Sequence, residues 1–267
     1  MSFDFKGKTV GVTGAAGISG IGFAIAKKFL ESGAEVFLCD LKEQALQEAR
    51  KELSPLGEVK TYVMDVSSAD SVRDVFAQAK EELGYIDIFV NNAGIYPQGF
   101  VCDMEEELWD AVMNVNLKSI FLCARECGRY MKERGGVILN AASYASLLGS
   151  AGSGAYAASK AAVYSLTKTL AAELAPYRIR VNGYIPGVIE TGMTAGVIRS
   201  KGEELVEAIA LHRLGKPEDV ANAAAFLASL EASYLTGTFI EISGGKLCVQ
   251  NPDFPWKQEQ ERKSEEI

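Results

Sequence analysis

A tyrosine and a lysine four residues apart are the strongest candidates for chemistry in this sequence. Tyr156 and Lys160 lie in the helical run "SGAYAASKAAVYSLTKTLAAEL", so their side chains share one face of a helix. A lysine ammonium beside a phenol stabilises the phenolate and lowers its pKa from the ordinary value of about 10. Such a phenol can exchange a proton with an alcohol or a carbonyl near neutral pH.

The spacing alone does not select this pair, because Tyr164 and Lys168 repeat it two turns later. Ser143 selects between the two pairs. It ends the strand-like run "GVILNAAS" and lies thirteen residues before Tyr156, with a loop of small residues between them. A hydroxyl at a strand tip and a tyrosine in the first turn of the next helix can converge on one carbonyl oxygen. Tyr164 lies too deep in the helix to do so.

The stretch "VTGAAGISGIGFAIAKKF" places four glycines between an apolar strand-like run and an amphipathic helical run. Glycine lets the backbone approach a ligand, and the free N–H groups and dipole of the following helix favour an anion. The stretch therefore predicts a phosphate-binding turn, and the alternative is a tight turn that binds nothing.

Asp40 ends the second strand-like run, "VFLCD", eighteen residues after Gly22. An acidic residue at this distance can accept hydrogen bonds from an adenosine ribose, and it repels a 2′-phosphate. No Lys or Arg lies among the glycines to offset that repulsion. The pattern favours NAD over NADP. The alternative role for Asp40 is the N-cap of the helix that starts at Leu41, and the two roles can coexist.

The elements that must position these residues alternate along the chain. We predict strands at 8–13, 35–40, 58–64, 86–91, 136–142, 180–185 and 238–243, and helices at 20–32, 42–53, 68–83, 105–132, 154–176 and 217–229. Continuous apolar runs such as "EVFLC" and "IDIFV" are typical of strands buried on both faces. The pattern predicts an α/β fold with a doubly wound, parallel, seven-stranded sheet and helices on both faces. In such a fold the ligand site lies beyond the carboxyl ends of the strands.

We expect one domain over residues 1–249 and a C-terminal extension over 250–267. No internal repeat or linker divides the first segment, whereas the second, "QNPDFPWKQEQERKSEEI", is an aromatic patch followed by charged residues. We expect this extension to be partly flexible. We also expect the section "CVQNPDFPW" to fold back near a pocket, of this chain or of a neighbouring subunit, with a disordered tail as the alternative.

Composition excludes several classes of function. The net charge of −8 argues against nucleic acid or an anionic membrane as a partner. The five cysteines form no Cys-x-x-Cys pair, which favours free thiols and a cytoplasmic location. The single histidine, His212, rules out a histidine-based metal cluster, so we expect no metal site.

The ordered motifs resemble those of the short-chain dehydrogenase/reductase family over about residues 5–247. The motifs are Thr13-Gly14 with Gly20-Ile21-Gly22, Asp65-Val66, "NNAG" at 91–94, "NVNL" at 114–117, Ser143, "YAASK" at 156–160 and "PGVIET" at 186–191. The resemblance implies a single-domain Rossmann fold and an NAD(P)-dependent oxidoreductase that acts on CH–OH groups.

The resemblance also implies roles for four catalytic residues. Tyr156 would be the general acid/base, and Ser143 would hydrogen-bond the substrate oxygen. Lys160 would hold the nicotinamide ribose and depress the tyrosine pKa. Asn116 would hold a water that relays protons, the alternative being a residue that kinks or caps its helix. The expected cofactor-binding residues are Gly14, Ser19, Gly20, Ile21, Gly22, Asp40, Asp65, Val66, Asn92, Ala93, Gly94, Tyr156, Lys160, Pro186, Gly187, Ile189 and Thr191.

The glycine stretch departs from the family pattern. The usual Thr-Gly-x-x-x-Gly-x-Gly would place glycine at position 18, where this chain has Ile18. Alignment on "SGIGFAIA" keeps Gly20 and Gly22 and makes the loop two residues longer, with Gly17 in the extra turn. A longer loop resembles that of the enoyl reductase branch, but that branch uses another tyrosine–lysine spacing than "YAASK".

These residues predict hydride transfer between a nicotinamide and a secondary alcohol or ketone. We expect a small polyol, sugar or sugar acid as substrate, with a 3-oxoacyl or hydroxysteroid compound as the alternative. A silent NAD-sensing or scaffold protein is the alternative from another class. The expected substrate contacts are Tyr96, Ser143, Tyr144, Val188 and Met193, beneath a cover formed by residues 191–213.

We expect a homotetramer. The predicted helices at 105–132 and 154–176 carry apolar residues on more than one face. By resemblance, these two helices form the subunit interfaces.

Overall fold

The computed structural model of the protein describes residues 3–246 and 248–265, and these contain a seven-stranded sheet. The strands are β1 (Thr9–Thr13), β2 (Glu35–Asp40), β3 (Val59–Val63), β4 (Ile88–Asn91), β5 (Gly136–Ala141), β6 (Ile179–Pro186) and β7 (Phe239–Ile242). Every adjacent pair is parallel, and the order across the sheet is β3-β2-β1-β4-β5-β6-β7. The predicted fold class is confirmed, and each predicted strand lies within two residues of an observed one.

Helices connect the strands and cover both faces of the sheet. They are α1 (Ile21–Glu31), α2 (Glu43–Leu53), α3 (Ala69–Leu83), α4 (Glu106–Met113), α5 (Ser119–Met131), α6 (Gly154–Leu174), α7 (Ala195–Glu207), α8 (Pro217–Ala228) and α9 (Phe254–Glu265). One apolar cluster joins α1, α2 and α8 to the sheet. A second joins α3, α5 and α6 to the opposite face. The sheet is therefore buried on both sides, which explains the continuous apolar runs in its strands.

Three segments differ from the predicted elements. The predicted helix at 105–132 is α4 and α5 joined by a five-residue π-helical segment, Asn114–Lys118. The predicted cover contains a helix, α7, whose backbone is non-helical at Lys201. The C-terminal extension, in which no helix was predicted, forms α9. The α7 segment mixes apolar and charged residues and α9 is mostly polar, so neither shows a clear apolar face in the sequence.

A chain of buried hydrogen bonds fixes α6 against the centre of the sheet. The side-chain amide of Asn91 on β4 donates to Asn140 on β5 over 2.9 Å, and Asn140 donates to the Thr167 hydroxyl over 3.0 Å. Asn140 and Thr167 are completely buried. Buried polar groups are costly unless they are satisfied, so these bonds favour one placement of α6 on the sheet.

Candidate active site

The order of the strands reverses between β1 and β4, and the cavity of interest opens at their carboxyl ends. Gly14 follows β1 with a φ of +64°, and a Cβ atom there would lie 2.8 Å from the Cα of Ala93. A Cβ on Gly22 would lie 2.5 Å from the carbonyl oxygen of Gly14. Both positions require glycine, the first for its backbone angle and the second because α1 packs directly on the turn.

The extra residues of the glycine stretch form a turn of their own. The Gly20 N–H donates to the Gly17 carbonyl over 2.7 Å, and α1 begins at Ile21 with Gly20 as its N-cap. Ile18 stays half exposed at the tip of the turn. The first amides of α1 therefore lie at the cavity and can serve an anion there.

Asp40 lies at the end of β2, on the same cavity. One carboxylate oxygen accepts the Ala16 N–H over 3.2 Å, and the other accepts the Leu41 N–H over 2.8 Å. The residue thus ties the glycine stretch to the start of the β2–α2 connection. It also keeps a negative charge at this end of the cavity.

A second network fixes the turn after β4. The Thr13 hydroxyl accepts the N–H groups of Asn92 and Ala93 over 2.9 and 3.0 Å. The Asn92 amide donates to the carbonyl oxygens of Thr13 and Gly14, and it accepts the Tyr184 hydroxyl over 3.1 Å. These contacts hold "NNAG" rigidly against the glycine turn.

Asn116 lies in the π-helical segment and is completely buried. Its Oδ1 accepts the Ile95 N–H over 2.8 Å, and its Nδ2 donates to the Ile95 carbonyl and to the Ser159 hydroxyl. Both amide protons are therefore used. A water held here toward Lys160 must bind the main-chain carbonyl or the second lone pair of Oδ1.

Ser143 and Tyr156 lie together at the centre of the site. Ser143 is buried at the tip of β5, where its hydroxyl accepts the Ala145 N–H over 3.2 Å. Burial raises the pKa of Tyr156 to about 12, and a hydrogen bond with Ser143 opposes that rise. The expected lowering of this pKa is not found in the protein chain, because removal of the phenolate from water outweighs its favourable contacts.

Lys160 is buried one turn below Tyr156, and its ammonium donates to the Ala141 carbonyl over 2.7 Å. Burial lowers the pKa of Lys160 to about 8. Its Nζ lies 5.8 Å from the centre of the Tyr156 ring, so the two groups are close without a direct hydrogen bond to the phenol oxygen.

The repeated pair, Tyr164 and Lys168, lies elsewhere. The Tyr164 ring stacks on Phe239 of β7 with centroids 4.3 Å apart, and the Lys168 Nζ lies over the Tyr164 ring, 4.3 Å from its centre. Neither residue borders the cavity at the strand ends. The structure thus brings Ser143 together with Tyr156 and not with Tyr164.

The cavity that runs from the glycine turn to Tyr156 has a volume of about 370 Å³. It is bordered by most of the expected cofactor-binding residues, namely Gly14, Ser19, Gly20, Ile21, Asp40, Asn92, Ala93, Gly94, Tyr156, Lys160, Pro186, Gly187, Ile189 and Thr191. Its polar groups suit a dinucleotide: helix amides for phosphate, a carboxylate at one end and a lysine at the other.

Three of the expected cofactor residues do not border this cavity. Gly22 lies beneath the glycine turn, and Val66 is buried in the core. Asp65 accepts the N–H and the hydroxyl of Ser67, the latter over 2.6 Å, so its carboxylate stabilises the turn after β3.

A smaller pocket adjoins Tyr156 and Ser143. All five expected substrate residues border it: Tyr96, Ser143, Tyr144, Val188 and Met193. Val197 and Leu205 of α7 also border it, and the Tyr96 ring packs edge-on against Tyr156 with centroids 4.8 Å apart. The pocket has a volume of about 80 Å³, which is small for a ligand site.

Six residues of the larger cavity were not among the expected cofactor or substrate contacts: Gly17, Ala141, Ala142, Tyr184, Gly192 and Thr194. Gly17 lies in the predicted glycine turn, and Gly192 and Thr194 lie in the predicted cover. The two alanines follow from the position of Ser143, because they precede it at the tip of β5. For Tyr184, the only sequence signal of a place at the site was its position near the end of a predicted strand. Its hydrogen bond to Asn92 spans 92 residues, so no local pattern predicts it.

Two further observations concern the described part of the chain. Within residues 3–246 and 248–265, no group of three or more His, Cys, Asp or Glu side chains is arranged to hold a metal ion. None of the helices in those ranges is both long and apolar enough to span a bilayer.

The sequence is similar to a family model and to proteins of known activity. A family model described as enoyl-(acyl carrier protein) reductase matches residues 14–246. The 3-oxoacyl-[acyl-carrier-protein] reductase of Thermotoga maritima is 44% identical over 242 residues, which are 90% of this chain and 98% of that protein. The 3alpha-hydroxysteroid dehydrogenase of Mediterraneibacter gnavus is 40% identical over 243 residues, 90% of this chain and 96% of that one.

A solved structure has the same fold. The Brucella melitensis protein described as a short-chain dehydrogenase/reductase and glucose/ribitol dehydrogenase is 38% identical, with a TM-score of 0.87. The match covers 92% of this chain and 99% of that one. Sequence, fold and the set of residues at the strand ends agree, and the chain is an oxidoreductase of the short-chain dehydrogenase/reductase family.

Proposed function

We propose that this protein interconverts a secondary alcohol and a ketone with NAD(H), and that the ketone is an apolar one of the 3-oxoacyl or hydroxysteroid type. The observation that carries the proposal is the pocket beside Tyr156, where aromatic and aliphatic side chains predominate around Ser143. Two similar proteins bear names of these substrate types. A small polyol or sugar acid, our first expectation, would find fewer polar partners than apolar contacts in this lining.

The nicotinamide would supply or accept the hydride, and the chain's own residues would handle the oxygen. In reduction, the Tyr156 phenol donates its proton to the ketone oxygen, which also accepts a hydrogen bond from the Ser143 hydroxyl. The raised pKa of Tyr156 keeps the phenol protonated at neutral pH, which suits a general acid. In oxidation, the phenolate removes the alcohol proton.

Lys160 would hold the nicotinamide ribose and supply positive charge near the phenol oxygen. Its Nζ lies next to Gly94, since a Cβ there would come within 3.7 Å of it. Asn116 would hold the loop that contains Gly94 and Ile95, and a water on its free acceptors would connect Lys160 with solvent. The remaining cofactor residues would bind the pyrophosphate at the amides of α1 and the adenosine near Asp40.

The preference for NAD over NADP would come from Asp40. Its carboxylate already accepts two backbone N–H groups and faces the cavity, so a 2′-phosphate would meet a fixed negative charge. We predict that Asp40→Asn, which keeps the shape and removes the charge, lowers the ratio of kcat/KM for NADH over NADPH by about tenfold. Steady-state kinetics with both cofactors measure the ratio, and an unchanged ratio would refute the assignment.

We propose a homotetramer through the face formed by α4, α5 and α6. Phe121 on α5 and Leu108 on α4 are exposed in the single chain. Size-exclusion chromatography with light scattering should give four times the chain mass, and a monomer at micromolar concentration would contradict the proposal.

The exposed thiols of Cys102 and Cys248 fit the proposed cytoplasmic location, where thiols stay reduced.

The substrate class is tested by following NADH consumption with 3-oxoacyl thioesters, 3-oxosteroids, ketoses and keto acids in parallel. The proposal expects turnover with one of the first two classes. Turnover with ketoses alone would restore the polyol interpretation. Tight NADH binding with no turnover of any class would favour the NAD-sensing alternative.

A further inference from the structure

We propose that the C-terminal extension is a clasp that holds the cover of the substrate pocket in its closed position, and that Trp256 and His212 are its positioning residues. The proposal rests on the proposed function only in calling the covered pocket the substrate pocket. The clasp consists of Asp253, Trp256 and Lys257 on the extension and Ala210 and His212 at the end of the cover.

The contacts of the clasp are specific. The Trp256 indole stacks on the His212 ring with centroids 4.8 Å apart and planes 17° apart. Its N–H donates to the Ala210 carbonyl over 3.0 Å. Asp253 pairs with His212 Nε2 over 3.0 Å and with Lys257 over 2.6 Å. The side chains of Trp256, His212 and Asp253 therefore contact one another at the backbone segment 210–212.

The segment 210–212 lies at the C-terminal end of the cover. His212 has a φ of +52°, which is uncommon outside glycine, and its N–H donates to the Ile209 carbonyl over 2.8 Å. Ile209 is buried, and the Leu211 N–H donates to Gly244 over 2.9 Å. The stacked ring therefore fixes a turn that joins α7 to the sheet.

The cover itself has little else to hold it. No side chain of α7, a helix that the structure describes throughout, is buried, and its backbone breaks at Lys201. At the other end, the Thr194 hydroxyl bonds to the backbone of Ile189 and Thr191. A helix with few buried contacts opens easily, so its position depends on the anchors at its two ends.

The position of the cover decides the shape of the pocket. Val197 and Leu205 border the pocket from α7, one on each side of the break at Lys201. Because the pocket has a volume of only about 80 Å³, we infer that the cover moves to admit substrate and then encloses it. Loss of the clasp should therefore weaken enclosure of the ketone without disturbing Tyr156, Ser143 or the NAD(H) cavity.

The test compares Trp256→Ala and His212→Gly with Phe254→Ala in the full-length protein. Phe254 is exposed on the same helix, which makes its variant a matched control. His212→Gly keeps a residue that accepts the positive φ while it removes the ring. Trp256→Phe keeps an aromatic ring and removes only the indole N–H, so it should restore part of the effect.

Two readouts separate the clasp from the proposed function. Trypsin cleavage after Arg199 and Lys201, measured with NADH and no ketone, should be about fivefold faster in Trp256→Ala and His212→Gly than in Phe254→Ala. KM for the ketone should rise about fivefold with kcat and the Kd of NADH nearly unchanged.

The cleavage and kinetic results test different parts of the proposal. Unchanged cleavage overturns the clasp whether or not a ketone is turned over. Faster cleavage with an unchanged KM overturns the link from the clasp to substrate. A wrong substrate class alters only the kinetic readout and leaves the cleavage result decisive.

Discussion

Replacing Tyr156 by phenylalanine is expected to lower kcat for ketone reduction by about 10³-fold, the usual contribution of a well-placed general acid. The change removes one hydroxyl and keeps the ring that packs against Tyr96. The Kd of NADH should stay within about threefold, because the phenol is one of many groups on the cofactor cavity. Stopped-flow absorbance at the NADH band measures the hydride step directly.

Tyr164→Phe is the matched control. Tyr164 has the same spacing to a lysine, but its ring stacks on Phe239 away from the cavity. Its kcat should lie within about twofold of the unaltered protein. Full turnover in Tyr156→Phe, or an equal loss in both variants, would show that the proton donor is another group.

Replacing Lys160 by methionine is expected to abolish most activity and yet stabilise the fold at pH 7. Burial lowers the pKa of this lysine from 10.5 to about 8, so its charged form is held in the protein at a cost. At about 1.4 kcal/mol for a tenfold change in the ionisation constant, that cost is about 3 kcal/mol. The Ala141 carbonyl would lose its donor, which offsets about 1 kcal/mol. The free energy of unfolding should therefore rise by about 2 kcal/mol, while kcat falls at least about 100-fold.

The stability difference should depend on pH with a defined sign. Below pH 8 the lysine is charged in both the folded and unfolded states, and the full cost is present. Between pH 8 and 10.5 the folded protein releases the proton before the unfolded chain does, so the unaltered protein gains stability as pH rises. Urea titrations of both proteins at pH 7 and pH 10 measure this. A difference that is constant with pH, or a variant that is less stable at pH 7, would contradict the assigned burial cost.

The sequence predicted the fold closely because a parallel sheet leaves a simple pattern. Strands such as "VFLC" and "IFV" are continuous apolar runs, and helical runs separate them along the chain. The break between α4 and α5 was not predictable from "NVNL", since a π-helical segment needs only one extra residue in an otherwise helical run.

The centre of the site was also predictable, because Ser143 and Tyr156 each follow directly from an element boundary. The pKa of Tyr156 was not, since it depends on how deeply β5 and α6 enclose the phenol. The sequence spacing of Tyr156 and Lys160 indicates that a charge lies close to the phenol, but it does not indicate how far burial removes water from both side chains.

The contact between the C-terminal extension and the cover could not be predicted from the sequence. Helix α9 is polar, and its contact with the cover depends on one tryptophan stacked on one histidine. Composition identified the aromatic patch as a candidate for folding back, but the partner lies more than forty residues away and no local pattern marks it.

The most direct test of the proposed function is a single-turnover measurement with NADH bound to the protein and mixed with a 3-oxoacyl thioester or a 3-oxosteroid. We expect loss of NADH absorbance with one of these two ketones, at a rate that falls about 10³-fold in Tyr156→Phe. Tight NADH binding with no absorbance change for either ketone, or an equal rate in the variant, would contradict it.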